Sequence, residues 1–217
     1  MAAATALSFC PARAGAVVVL VVAVLLAAGS VHGEGGAGGG GGRGARTALD
    51  DVCSDLGGYY VTPEICASAL CGDPSSRCRA ARGAPEVAVL AARLAVANAT
   101  ATKASIEAAL ALAGGGTEAS ASSSSSSPTA SRADARRKGM RSCLKLYAGA
   151  VPALQWAAQS VAAGRYRGAR EVLQAAQYVA LGCEGMAGGE AALPRENDQF
   201  SLMAIVAHAV VASMLGP

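Results

Sequence analysis

Apolar residues recur at spacings of three, four or seven through most of the chain beyond residue 84, the pattern of helices that bury one stripe. Val87, Leu90, Leu94, Ala97, Ala101 and Ala108 trace such a stripe along a helix predicted from about Pro85 to Ala113. Cys143, Tyr147, Ala150, Val151, Leu154, Ala158 and Val161 trace a second, along a helix from about Arg132 to Ala163. Pro152 should kink that helix, because it removes one backbone hydrogen bond. A third helix is predicted from about Tyr166 to Gly182, with Ala169, Leu173, Ala176 and Val179/Ala180 facing inward. The last runs from about Glu196 to Leu215, opened by Asn197 or Asp198, whose short polar side chains suit an N-terminal cap. Gly164 and the run from Gly185 to Gly189 punctuate the text between them. Four amphipathic helices with mostly short connections predict an antiparallel four-helix bundle over residues 84–217.

A shorter unit precedes the bundle. Asp50 and Asp51 lead into Cys53, Gly57-Gly58 break the segment, and Pro63 suits the first turn of a new helix. This predicts a helical hairpin, with Gly72-Asp73-Pro74 closing its second helix and the whole appendage spanning 47–80. Residues 114–131 are rich in Gly and Ser and read as a loop. The fold expected is therefore all-α: a four-helix bundle with an N-terminal helical hairpin.

Composition supports that reading. Hydrophobic residues reach 53%, yet aromatics only 4%, so alanine carries the apolar content. Closely packed helices use small side chains well, whereas sheets favour β-branched and aromatic ones.

The first 33 residues read as a signal peptide: Arg13, an apolar core from Ala16 to Ala28, then small residues with cleavage after Ser30 or Gly33. The stretch from Ala14 to Val31 is also nearly long enough for a retained signal anchor. A Gly-rich linker follows over 34–46. At the other end, small residues at Ala187 to Gly189, a polar spacer and an apolar tail imitate a lipid-anchor signal. Ser201, His208 and Ser213 interrupt that tail, and the bundle needs it as a fourth helix. Secretion is expected, without stable membrane association after cleavage.

Charge excludes one class of partner. Eighteen basic against fifteen acidic residues is too even a balance for nucleic acid. Arg137, Arg141 and Lys145 share one helical face, as a solvated surface or a contact for an acidic partner. Neither a catalytic nor a metal site is expected. His208 is the only histidine beyond the leader, and it lies in an apolar helix, so no imidazole can partner a Ser or Cys nucleophile. No cofactor is implied. Of seven cysteines Cys10 leaves with the leader, and six in an oxidising compartment allow fifteen pairings. Asn98-Ala99-Thr100 is an N-glycosylation sequon beside the buried stripe. Trp156 fits either a helix–helix contact or, with Gln155, a recognition surface.

Three blocks of residues together resemble the plant invertase/pectin methylesterase inhibitor family. The first is Pro63-Glu64-Ile65-Cys66 with Ala69-Leu70 and Asp73-Pro74. The second runs from Cys143 through Tyr147, Ala150-Val151 and Leu154 to Tyr166, Ala169, Ala175-Ala176 and Cys183-Glu184. Glu196-Asn197, opening the apolar last helix, is the third. The likeness covers Cys53 to the C-terminus and is nearest to the branch holding invertase inhibitors and pollen-allergen relatives. It implies disulfides Cys53–Cys66 and Cys143–Cys183; Cys71 and Cys78 are left over, close enough to pair around Asp73-Pro74 or to stay as free or intermolecular thiols. It also implies a secreted inhibitor without enzyme activity, acting in the cell wall (apoplast) or the vacuole, whose partner is a pectin methylesterase or an acid invertase. Invertase inhibitors of the family present a Pro-Lys-Phe tripeptide; the nearest match here is Gly164-Arg165-Tyr166, which lacks the proline. Pectin methylesterase is therefore the expected target, with Arg165 and Tyr166 as candidate contacts. Gly, Ala and Ser richness keeps open a structural, allergen-like wall protein with no enzyme target.

Overall fold

A computed structural model describes residues 46–72, 77–114, 128–188 and 193–216. The expected signal peptide, nearly all of the Gly-rich linker, and the Ser-rich run over 115–127 lie outside the described residues. Six α-helices follow in order: α1 (Ala48–Ser54), α2 (Pro63–Cys71), α3 (Ala84–Gly114), α4 (Pro128–Ala162), α5 (Tyr166–Ala187) and α6 (Glu196–Ser213). Short 3-10 segments occupy Asp55–Tyr59 and Cys78–Ala80, and the described residues contain no strand.

Helices α3 to α6 form a ring in which each packs on the next and α6 returns to α3. Every neighbouring pair is antiparallel. Gly139 of α4 abuts Met186 and Ala187 of α5, while Trp156, near the end of α4, meets Gly168 near the start of α5. Thr102 in α3 reaches the first residue of α6. The all-α bundle expected from periodicity is the fold observed.

Small residues set how closely these helices approach. A Cβ on Gly139 would collide with the Met186 carbonyl oxygen and stand 2.8 Å from the Ala187 Cα, so only glycine permits this crossing. Tyr147, Leu154, Leu173 and Phe200 are fully buried between the helices, and each such burial stabilises by roughly 1.5–3 kcal/mol. Tyr147 and Phe200 meet edge to face, with ring centroids 5.2 Å apart.

Helix α6 is apolar nearly all round, with Phe200, Met203, Ala204, Val206, Ala207, Ala209, Val210 and Val211 buried. Packing explains it: α3 and α5 cover two sides, while α2 and the 3-10 segment after α1 cover another. The apolar C-terminal stretch is thus the fourth core helix. No helix among the described residues is long and apolar enough to cross a membrane.

The hairpin is built from local signals. Thr47 and Asp50 form a reciprocal capping box on α1, and Thr62 accepts from the Ile65 N–H to cap α2, with Pro63 in its first turn. The Asp50 carboxyl is held below its ordinary range by the Thr47 backbone N–H and hydroxyl. Disulfides join Cys53 to Cys66 and Cys71 to Cys78, with Cα atoms 5.5 and 5.3 Å apart. Leu49, Val52, Leu56, Val61 and Leu70 reach the same core as the bundle.

Several expectations are corrected. In α3, Ala97, Ala101 and Ala108 are exposed; Ala88, Ala91, Ala95, Ala99, Thr102 and Ile106 lie inside instead. Alanine occurs on both faces of this helix, so it marks no phase. Helix α4 begins at Pro128, within the stretch assigned to the Ser-rich loop, and Pro152 lies exposed inside it. Helix α5 continues through Gly182 and Gly185 to Ala187, because buried Cys183 and Ala187 outweigh a helical glycine's cost of about 1 kcal/mol. Gly188, at φ +90°, ends it. Asn197 does not cap α6: the cap is Arg195, without a side-chain bond, and the Asn197 amide is used inside the bundle.

Candidate functional site

The corner between α4 and α5 is rigid for a backbone reason. Gly164 adopts a left-handed conformation (φ +72°), its N–H donates to the Val161 carbonyl (2.9 Å), and the Arg165 N–H donates to the Ser160 carbonyl (2.8 Å). These two bonds make a Schellman turn, satisfying carbonyls that the helix end would leave open. Helix α5 begins at the next residue. Arg165 is exposed at this corner. Tyr166 is half-buried and lines a shallow pocket with Arg77, Val89, Leu90, Arg93 and Val161.

An apolar strip leads away from that corner along the outer seam of α4 and α5. Leu146, Gly149, Ala153 and Trp156, spaced by three or four, lie on the α4 edge; Gly168, Ala175 and Gly182, spaced by seven, lie on the α5 edge. Trp156 remains 50% exposed while making a helix–helix contact, so it has something of both roles open to it in the sequence. Its indole lies over Gly168, where a Cβ would come within 3.0 Å of the ring. At the far end a Cβ on Gly182 would stand 3.5 Å from a Leu146 methyl, while Gly149 has open space around it. Tyr178 is 66% exposed beside the strip. Charge is confined to the margins: Arg167 is exposed, and Arg170 pairs with Glu171 at 2.6 Å near the corner. Arg141 and Lys145 of the basic stripe are exposed on α4, whereas Arg137 is half-buried.

Behind the strip lies a buried polar cluster that ties all four helices. The Tyr147 hydroxyl donates to Asn197 Oδ1 at 2.8 Å, and Asn197 Nδ2 reaches Glu184 Oε1 at 3.5 Å. The Thr102 hydroxyl lies 2.8 Å from the Asn98 carbonyl and 2.9 Å from that of Glu196, its one hydrogen shared between them. Burial pushes the Tyr147 phenol well above its ordinary range. These groups are enclosed between the helices, and they serve to fix register.

The bridge between Cys143 and Cys183 that the family resemblance implies is not formed here. Both are buried thiols; Cys143 Sγ donates to the Cys183 carbonyl at 3.4 Å instead of bonding the facing sulfur. Desolvation raises both thiols above their ordinary pKa, which favours the unreactive protonated form.

Arg165 and Tyr166 are thus adjacent to the exposed strip, whereas Asn98 lies on another side of the bundle, between α2, α3 and α6. The strip was not evident from sequence, although Gly168, Ala175 and Gly182 at heptad spacing carried the signal. His208 is half-buried in α6, edge-on to Tyr59 with centroids 6.2 Å apart. Among the described residues no three His, Cys, Asp or Glu side chains gather to hold a metal ion.

No curated protein and no solved structure is significantly similar to the chain. Residues 47–210, from the cap of α1 almost to the end of α6, do match a family whose members are proteinaceous inhibitors. The chain belongs to the plant invertase/pectin methylesterase inhibitor family.

Proposed function

We propose that this protein is exported and blocks a cell-wall pectin methylesterase by laying the α4–α5 seam across the enzyme's substrate cleft. One observation carries the proposal: the half-exposed Trp156, held over Gly168 in an apolar strip that ends at a locked corner. A large aromatic on a rigid, mostly small-residue surface is the usual make-up of an interface hot spot. The seam is already ordered by the buried cluster and the Schellman turn, so binding loses little conformational freedom.

The target is argued from Gly164-Arg165-Tyr166. Gly164 fills the left-handed position of the turn, where proline, fixed at negative φ, cannot stand. The corner therefore cannot present the Pro-Lys-Phe of the invertase inhibitors. A second reading, inhibition of an acid invertase, rests on the same corner, since Arg165 and Tyr166 still offer a cation and an aromatic together. An exported wall protein without an enzyme target is the reading from another class.

Titration of the oxidised protein against both enzymes separates these readings. Stoichiometric inhibition of pectin methylesterase alone is expected, with Trp156→Ala weakening it about tenfold or more. Inhibition of invertase alone, weakened about tenfold by Arg165→Ala with Tyr166→Ala, would move the target to invertase. No inhibition of either enzyme would leave the structural wall protein.

A further inference from the structure

We infer that Asn98 carries an N-linked glycan whose first sugar lies in the groove between α2, α3 and α6, covering apolar surface that the hairpin leaves open. The inference rests on the export proposed above, because the modifying machinery meets only exported chains.

Asn98-Ala99-Thr100 supplies the acceptor sequence. In the folded protein Asn98 is half-buried and lines a groove with Ser68, Ala69 and Gly72 from the hairpin, Leu94, Ala97 and Ala101 from α3, and Leu202 from α6. Gln199 and Met203 of α6 complete the lining, and five of the nine neighbours are Gly, Ala or Ser, which leaves room at the root of a bulky adduct. Leu202 is 41% exposed, so the groove presents apolar surface to water.

The amide chemistry is compatible with the fold. Asn98 Nδ2 has two hydrogens, and one is donated to the Leu94 carbonyl at 2.9 Å. Glycosyl transfer needs only the other. Nδ2 attacks C1 of the first N-acetylglucosamine, and the bond from C1 to the pyrophosphate oxygen of a lipid-linked oligosaccharide donor breaks. The lipid pyrophosphate departs with the bonding pair, and one Nδ2 proton is lost to a base. The N–H left on Nδ2 is the one that donates to the Leu94 carbonyl once α3 has formed. Transfer precedes folding, since an acceptor inside a helix is not extended. The open groove then lets α3 form with the sugar attached. The N-acetylglucosamine ring carries axial C–H groups on its faces, which suit Ala97, Ala101 and Leu202, and equatorial hydroxyls around its rim, which stay in water.

The test expresses the full chain in secretory eukaryotic cells in two forms: with its own N-terminus, and behind an added leader of known function. Treatment with a peptide N-glycosidase should lower the apparent mass of both and leave a deamidation tag at Asn98, whereas Asn98→Gln should be unshifted. An unmodified Asn98 in the chain behind the added leader overturns the inference. Modification of that form alone keeps the inference and overturns the native leader. Hydroxyl-radical labelling then reads the groove: Leu202 should be oxidised several-fold more slowly in the glycosylated protein than after sugar removal. Equal rates would show the glycan pointing into solvent and overturn the covering of the groove.

Discussion

Asn197 carries more of this structure than its position suggests. As the second residue of α6 it could have ended the helix by capping, yet its side chain turns inward to accept from Tyr147 and to approach Glu184. A polar group in such a site stabilises only while its partners are complete. Tyr147→Phe preserves the ring that packs on Phe200 and removes only the donor, leaving the Asn197 carbonyl oxygen buried without its hydrogen bond. A loss of about 1–3 kcal/mol in denaturant unfolding is expected. An unchanged midpoint would show that water or Thr102 replaces the phenol. The sequence placed Tyr147 on the inward stripe but did not mark its partners, because Asn and Glu on amphipathic helices look like ordinary surface residues until the helices converge on them.

The elements differ in how far their sequences disclosed them. Periodicity located α4 and α5 because their inward positions hold Tyr, Leu and Val, whose size makes a stripe visible, whereas α6 stood out as an apolar stretch without a stripe. In α3 alanine occupies both faces, and the true inward set appears only from what the other helices cover. The hairpin was legible from its glycine break and from Pro63, but not its seat against α6. That seat brings Tyr59 onto His208, with Arg170 and Glu171 of α5 the charged groups facing the imidazole. Desolvation, aided by Arg170 and opposed by Glu171, lowers the His208 pKa below its ordinary 6.5. The folded protein thus binds a proton here less readily than the unfolded chain. This contribution to stability is complete above about pH 6.5 and is lost as pH falls through the lower, folded-state pKa. Thermal unfolding between pH 7 and 5 should show the decline, and His208→Gln should flatten it. A variant with the same slope as the wild type would place the titration elsewhere.

For the whole molecule, crosslinks and scaffold are separable in a way that cysteine order did not reveal. Both disulfides lie in the N-terminal appendage, and the bundle holds its register through packing and buried hydrogen bonds. Cys143 and Cys183 nonetheless face one another across α4 and α5, 40 residues apart. We expect the exported protein to close that pair during folding, before burial suppresses the thiolate. A loop of that length should raise stability by about 4 kcal/mol. Peptide mass mapping checks it: protein folded under oxidising conditions should yield a Cys143–Cys183 peptide, and protein folded reduced and oxidised afterwards should not. Free thiols in both preparations would make these two cysteines mere core filling. The candidate site was only half legible. Arg165 and Tyr166 could be named from family resemblance, but the seam beyond them depends on which side of two helices stays uncovered.

The furrow floored by glycine and alanine has a practical consequence. A side chain at Gly149 would enter open space, and Ala153 and Ala175 face outward, so these positions tolerate diverse side chains without disturbing the interior. Recognition and folding are thereby written on different residues. A library varied at those three sites, with Trp156 and the Gly164 bend kept, could be selected toward new enzymes, turning an inherited blocker into a tunable one.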